Sequence, residues 1–533
     1  MNKNIKHRNK DKACKIMKGK HSVHVVHGLT YDDETNHMAP ESDKSWIWTD
    51  KDGLNKRELD LYIPGKSGNA LEDDLKLQGG TSRLQDDPSS SIHGNTNEQI
   101  FDNNSHHSKP DNNNSHNDVG SNKSSSHSTK APPLVVFIHG GGWRRGHHAS
   151  WKYFISRYDT NIFMALVHQL IFRFYANFGK TLAENGIPCA VISYPISRLQ
   201  FPWTIAELVT SFLTNYLMFG AVFILGLILM AISGCPTVVD LQDYLLETTW
   251  TDLNPLLTIL CMHGAITQLL IWIVIMFNSQ NYNLTKQAAI FLPVCLAFIS
   301  YMTSQFIMTS QQQMMIFSII LIMTSQLSLL YLQTQVPIVQ HPQPVKSVAR
   351  CISWLHKSRK WQGQYDPESI VLLGHSAGGH LATLLALDNT YLTNAGCHPS
   401  VIKGIISMSG VYSVPRIATS WMAKHFIIIP GFGTDQSEWE KSSPLTHVKN
   451  RAMNGIGIPK FLLFCAESEF PFLQKDASDL SDKFNEFDVS HEYFTIKGTN
   501  HFTIASNFGR YSEHYNEHVT KRCIDFILGT GSM

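Results

Sequence analysis

Almost no net charge is left in this sequence: 44 basic residues stand against 43 acidic ones, a balance of +1. A chain so evenly balanced has no global attraction for a polyanion, which argues against a nucleic-acid partner. Cysteine is sparse and unordered. The nine cysteines are scattered without metal-ligand spacing, so no metal site is expected, and a reducing compartment fits them better than a disulfide framework. Cys189, Cys351 and Cys465 lie in apolar stretches and read as buried free thiols. The basic segment Met1 to Lys20 lacks an apolar run, so it reads as a solvated tail and not as a secretory signal peptide. Residues 67–130 are rich in Asn, Ser, His and Asp, and from Asp102 to Lys130 they approach low complexity. Such a segment cannot bury enough apolar surface to offset its chain entropy, and is expected as a disordered linker.

What is present begins with Gly374-His375-Ser376-Ala377-Gly378, followed by Gly379 and His380. The run Ile370-Val371-Leu372-Leu373 precedes it, and Leu381 to Leu387 follows: a buried strand, a tight turn and a helix in order. In that context G-x-S-x-G is a nucleophile elbow, its glycines required because the sharp turn leaves no room for side chains. Upstream, a second buried strand, Leu134-Val135-Val136-Phe137-Ile138, runs into His139-Gly140-Gly141-Gly142-Trp143. A glycine run at a strand's carboxyl end leaves backbone N–H groups to face a ligand, the geometry an acyl-transfer oxyanion needs. The two motifs predict serine chemistry, with Ser376 as nucleophile and Gly140, Gly141, Gly142 and Ala377 as the oxyanion hole.

These motifs resemble α/β-hydrolase esterases with an HGGG-type oxyanion loop, most of all the branch of kynurenine formamidases, prenylcysteine methylesterases and related carboxylesterases. The resemblance spans roughly 131–204 and 343–530, with a short piece at 57–64. Tyr194-Pro195 through Phe201-Pro202-Trp203, Trp354-Leu355 with Tyr365-Asp366-Pro367, and Lys497-Gly498-Thr499-Asn500-His501-Phe502 also carry it. It implies an α/β fold with a mostly parallel sheet and a triad in chain order Ser, acid, His. His501 also stands out by itself, after the strand-like Tyr493 to Ile496 and a Gly-Thr-Asn turn. The family usually has an aspartate after its penultimate strand, and none follows Phe461 to Cys465 here. Aligning the acid against Pro471 selects Glu469, and a tighter turn would select Glu467. In the family, a strand such as Arg57 to Pro64 pairs with the one before the HGGG loop.

Between the two halves of this core lie four apolar stretches, Ile205–Ile232, Leu256–Phe277, Ala288–Met308 and Met314–Leu332. Each approaches the roughly 20 residues that span a bilayer. Strands near 189–194 and 370–373 belong to one parallel sheet, so the chain leaves and returns on one side, in two or four spans. Ser233–Pro255 carries four acidic and no basic residues, whereas Arg198, Lys346, Arg350, Lys357 and Arg359 flank the insertion, placing the catalytic domain in the cytosol on an endomembrane. The expected organisation is an N-terminal tail (1–53), a first core strand (54–66), a disordered linker (67–130), a first hydrolase part (131–204), a transmembrane insertion (205–333) and a second hydrolase part (334–533).

The expected activity is serine hydrolysis, through an acyl-enzyme, of a carboxylic ester of a small or amphiphilic substrate (a prenylcysteine methyl ester or a lipid or xenobiotic ester), with membrane lipid as partner and without cofactor or metal. An N-formylkynurenine-type amidase and a catalytically degenerate membrane scaffold are the alternatives.

Overall fold

In the computed structural model the described residues are 21–31, 58–65, 131–146, 174–232 and 338–530 apart from 362, 456 and 511–514, with scattered positions between 260 and 330. The linker 67–130 and the tail before His21 lie outside them.

Strands rich in Val, Ile, Leu and Phe have no polar side to offer water, so they are covered on both faces. Eight segments form one sheet: β1 Val23–Thr30, β2 Glu58–Pro64, β3 Pro133–Ile138, β4 Cys189–Ile192, β5 Asp366–His375, β6 Ile402–Met408, β7 Lys460–Ser468 and β8 His491–Asn500. The central strands are of this apolar kind, while the edge strands β1 and β8 are more exposed. Their order is β1-β2-β4-β3-β5-β6-β7-β8. From β4 to β8 every pairing is parallel, while β1 and β2 are antiparallel at the edge. Side chains alternate between faces along β3. Leu134, Val136 and Ile138 pack with the helices Gln343–Lys357, Ala377–Leu387 and Pro471–Glu486. Val135 and Phe137 pack on the other face with Phe178 and Leu182 of the helix Phe174–Glu184, and with Cys523 and Ile527 of Lys521–Thr530. Cys189, Cys351 and Cys465 are buried free thiols.

One pairing differs from expectation. β2 does not pair with β3; it pairs with β4, as Leu59↔Ile192 through Tyr62↔Cys189. The helix Phe174–Glu184 returns the chain to lay β4 beside β3, so β4 already occupies the flank that β2 was expected to take. The chain then crosses back over β3 to form β5 on its other side. The carboxyl ends of β3 and β5 therefore part at a topological switch point, where open α/β sheets leave a crevice.

The insertion begins with a helix of 30 residues, Trp203–Ile232. Its burial is largely inverted, with Leu208 inward and Thr210 outward as exceptions. Thr204, Leu208, Ser211 and Asn215 face inward, Asn215 at 0% exposure, while Ile205, Val209, Leu213 and Leu217 face outward, Leu217 at 69%. Spacings of three and four put each set on its own side of the helix. The pattern recurs further on: Thr267, Gln268 and Ser318 are buried, and Leu260, Ile266, Ile319, Met323 and Leu327 are exposed. Polar groups bond across the helices, Gln326 Nε2 to Gln268 Oε1 at 2.8 Å, His263 Nε2 to the Tyr216 carbonyl at 2.9 Å, and the Tyr216 hydroxyl to the Leu260 carbonyl at 3.2 Å. Among the described residues, however, no helix is long and apolar enough to cross a membrane. The stretch from Trp203 to Ala221, where side chains are described without interruption, is diluted by Glu207, Thr210, Ser211, Thr214 and Asn215. Of the other expected spans, Ala288–Met308 lies outside the described residues, and Leu256–Phe277 and Met314–Leu332 are described only at scattered positions.

Candidate active site

The elbow forms because β5 ends at His375 and a helix starts at Ala377, leaving one residue to make the turn. That residue, Ser376, sits at φ 54°, ψ −119°, a conformation a side-chain-bearing residue adopts only when its surroundings impose it. The flanking glycines are required by backbone contact. A Cβ on Gly374 would lie 2.3 Å from the Gly378 carbonyl oxygen, and one on Gly378 would lie 2.0 Å from that of Ile138. Ser376 is 9% exposed at the crevice between β3 and β5.

β7 and β8 bring the other two groups. His501 directly follows β8, and its Nε2 lies 3.0 Å from Ser376 Oγ. Its Nδ1 lies 2.8 Å from Glu469 Oε1, just past the end of β7. Since a carboxylate only accepts, Nδ1–H donates to Glu469, which leaves Nε2 as the acceptor for the Ser376 hydroxyl. The Glu469 side chain is fully buried, and its Oε1 also accepts the N–H of Phe470 at 2.9 Å. Glu467 sits elsewhere. Its Oε2 accepts the Gly498 N–H at 2.9 Å, tying β7 to the turn that presents His501. The alternative assignment of the acid therefore meets a geometric objection: its carboxylate is spent on the backbone.

The glycine run is used unequally. Gly140 donates its N–H to the Tyr175 hydroxyl at 3.0 Å, so it is not available to an oxyanion as the sequence suggested. It acts by its small size, since a Cβ there would lie 3.1 Å from Ser376 Cβ and 2.9 Å from His375 Nδ1. Gly141 at φ 109° and Gly142 at φ 60° turn the chain. Among the described residues their N–H groups donate to no protein acceptor, while the Gly141 carbonyl accepts from Arg144 and Arg145 N–H at 3.2 and 3.0 Å. The N–H of Ala377, first in its helix, has no intrahelical acceptor and carries the positive end of the dipole.

Three histidines beyond the sequence reading support this geometry. His375 Nε2–H donates to the His501 carbonyl at 2.8 Å, linking the elbow to the histidine loop. His380 accepts from Trp143 Nε1–H at 3.2 Å and donates Nε2–H to the Ser442 carbonyl at 2.8 Å. His139 donates Nδ1–H to the Gly140 carbonyl at 2.8 Å and stacks on Tyr194 with centroids 4.2 Å apart. Burial holds all three neutral, lowering His139 to about 4 and His375 and His380 to about 3. For His375 the nearby His501 adds to the effect. Only position two of the elbow and the loop's leading histidine hinted at any of this, because the partners lie far away in sequence.

An acid lability follows. Each of these histidines takes up a proton near 6.5 once unfolded, but only near 3 to 4 while folded, so the unfolded state binds more protons in between and stability falls as pH falls. Asp476, raised to about 6 mainly by burial, acts oppositely from its usual 3.8 upward. The histidines outnumber it. The denaturant midpoint is expected to drop steadily between pH 6.5 and 4.5, with a shallower slope for His380→Gln. A midpoint flat over that range would contradict the burial-neutral assignment.

Residues 334–505 match the family described as alpha/beta hydrolase fold. Over 137 residues the chain is 27% identical to a kynurenine formamidase-like hydrolase of Fusarium equiseti, a match over 24% of this chain and 42% of that protein. The chain thus spans about two fifths of the length of that curated relative. Esterase B from Lactobacillus rhamnosis is similar at 12% identity over 96% of this chain and 87% of that one, with a TM-score of 0.39. An esterase from the planctomycete Thermogutta terrifontis is similar at 12% identity over 76% and 87%, with a TM-score of 0.34. The matched segment takes in the elbow, both glutamates and His501, and the parallel sheet order agrees with the α/β-hydrolase fold that this match describes.

Proposed function

We propose that the chain is a membrane-anchored serine hydrolase that cleaves a carboxylic ester of an amphiphilic substrate through an acyl-enzyme. The observation that carries this reading is the hydrogen-bonded line Ser376–His501–Glu469, closed at 3.0 and 2.8 Å. Ser376 Oγ attacks the ester carbonyl carbon as His501 Nε2 takes its proton. The carbonyl oxygen, now negative, is held by the N–H groups of Ala377 and of Gly141 or Gly142. Collapse expels the alcohol, which takes the proton back from Nε2–H. Water then repeats the sequence on the acyl-serine, releasing the acid. Glu469 fixes the imidazole tautomer and balances its transient positive charge. No cofactor or metal enters this scheme. A degenerate scaffold has little support beside this arrangement.

Two features support an amphiphilic substrate. Phe470 and Phe502, both partly exposed, flank the His501 ring with centroids at 5.2 and 5.3 Å, giving the histidine apolar neighbours open to solvent. The inverted helices support a lipid surrounding, because apolar side chains outward and polar ones inward is a favourable arrangement when the solvent is hydrocarbon. Exposed Phe201, Trp421 and Met422 extend that apolar surface beside Trp203, which packs edge-on to Trp421 at 5.5 Å. Aromatic side chains of this kind suit the bilayer interface. In this reading the catalytic domain stays on the cytosolic side of an endomembrane. The match to a kynurenine formamidase-like hydrolase favours N-formyl amide hydrolysis as the second reading.

Esters that differ only in alkyl length, offered in vesicles to the full chain, separate the two. Each methylene newly buried contributes about 0.8 kcal/mol, or roughly fourfold in kcat/KM, until the site is filled. A rising series with slow formamide turnover is expected, with the protein retained in the membrane pellet after carbonate washing. Preference for N-formylkynurenine over every ester would replace the ester reading. Release by carbonate would remove the membrane one.

A further inference from the structure

The oxyanion loop is tied by its neighbouring residue to the helix that opens the insertion. Gly141, Gly142 and Trp143 have φ of 109°, 60° and 58° in succession. Such a conformation is unfavourable at a bulky residue, so Trp143 must be held there from outside. Its ring is held by His380 and packs edge-on to Phe432 at 4.7 Å, and its carbonyl accepts the Ser197 N–H at 2.7 Å. The next residue supplies the remaining hold. Arg144 Nη2 lies 3.0 Å from Glu207 Oε1, and Arg144 Nη1 donates to the Phe426 carbonyl at 2.8 Å. Arg145 Nη2 reaches the same Glu207 oxygen at 3.7 Å. Arg144 and Glu207 are mostly buried, at 14% and 24% exposure, so water screens this pair less than an ordinary surface pair. Glu207 lies early in Trp203–Ile232, whose first residue packs on His425 and Phe426 with centroids at 5.4 and 5.2 Å. Three elements therefore meet on one guanidinium: the oxyanion loop, the first inserted helix and the segment around Phe426.

We infer that Glu207 is a positioning residue for the hydrolytic site: through Arg144 it fixes the turn that aims the Gly141 and Gly142 N–H groups, so the inserted helix is part of the oxyanion geometry. This rests on the proposal that those N–H groups hold the oxyanion. Arg144 N–H donates to the Gly141 carbonyl, so a displaced Arg144 rotates the same peptide units that present the donors. Loss of the clamp misaims donors whose effect is confined to the transition state, and so lowers kcat while leaving KM unchanged.

The test uses the full chain in lipid vesicles with a short p-nitrophenyl ester. Glu207→Gln should lower kcat about tenfold, part of the hundredfold or more that follows loss of a whole oxyanion donor, and slow fluorophosphonate labelling to the same degree. Arg144→Gln should do the same, and the double variant should be no worse than either single one, because all three break one clamp. A merely structural role would instead lower the unfolding midpoint and the active fraction without changing kcat per labelled site. Should Glu207→Gln not fold, Glu207→Asp, which keeps the charge but shortens the reach, is expected to give an intermediate kcat. A kcat per labelled site within twofold of wild type for the variant that folds, or strict additivity in the double variant, overturns the inference. Ser376→Ala is measured alongside. Turnover surviving in that variant sinks the site itself, whereas a silent Ser376→Ala with normal Glu207 variants sinks only the clamp.

Discussion

Ser376→Ala is expected to reduce hydrolysis of short p-nitrophenyl esters by about four to six orders of magnitude, the range found when a triad nucleophile is removed. The expectation rests on geometry more than on the motif. Ser376 Oγ faces His501 Nε2 at 3.0 Å, and alanine keeps the Cβ that the φ 54° conformation must accommodate. The elbow is therefore no more strained in the variant than in the parent. What disappears is one hydroxyl and its bond to His501, so the unfolding midpoint should stay close to wild type while fluorophosphonate labelling vanishes. Turnover near the wild-type rate would remove Ser376 as nucleophile.

The part of this site that could be read from sequence is the part encoded locally. An apolar run, a glycine-flanked serine and a second apolar run specify strand, turn and helix with no help from distant residues. The same holds for Leu134 to Gly142. Supporting contacts are different. His375 bonds a residue 126 positions away and Trp143 one 237 positions away, and no spacing in the chain marks either pair. Strand order was hidden for a related reason. The alternation in Glu58–Pro64 suggests a half-buried strand, yet Leu59 to Ile63 are all buried, Asp60 among them, and its neighbour depends on where the crossover helix places β4. β1 escaped notice because Val23–Thr30 includes two histidines and a glycine and pairs only at the sheet edge, where side chains decide little.

The insertion shows another limit. Its hydrophobicity is plain in the sequence, yet hydrophobicity does not say which side chains face inward. Ser211 and Asn215 look like flaws in an apolar helix until their burial is known, and then they are its contact face. Run length alone does not record that inversion. The inversion concerns the direction of each side chain, and water and hydrocarbon select opposite directions. The same helix carries Glu207, the one acidic residue in its first two turns, at the place where it meets the oxyanion loop.

The two glutamates after β7 differ in what a change should cost. Glu469→Gln is expected to lower kcat about 10³- to 10⁴-fold, as loss of the charge behind a triad histidine does. Oε1 already accepts from His501 Nδ1 and from the Phe470 N–H, while Oε2 is buried with no hydrogen-bond partner among the described residues. An amide has to place its NH₂ somewhere in that arrangement. Set in the Oε2 position, it is a buried donor without an acceptor; turned over, it points at Nδ1 and enforces the tautomer that cannot accept the serine proton. Either way the imidazolium loses its counter-charge. Glu467→Gln removes much less, because an amide oxygen can still accept the Gly498 N–H, so its kcat should stay within about tenfold of wild type. Glu469→Asp should fall between them, since a side chain shorter by one methylene draws the carboxylate back from Nδ1 without removing its charge. Steady-state kcat for the three variants, normalised to labelled active sites, decides the assignment. A larger loss for Glu467→Gln than for Glu469→Gln would move the acid to Glu467, and small losses for both would mean that neither carboxylate orients His501.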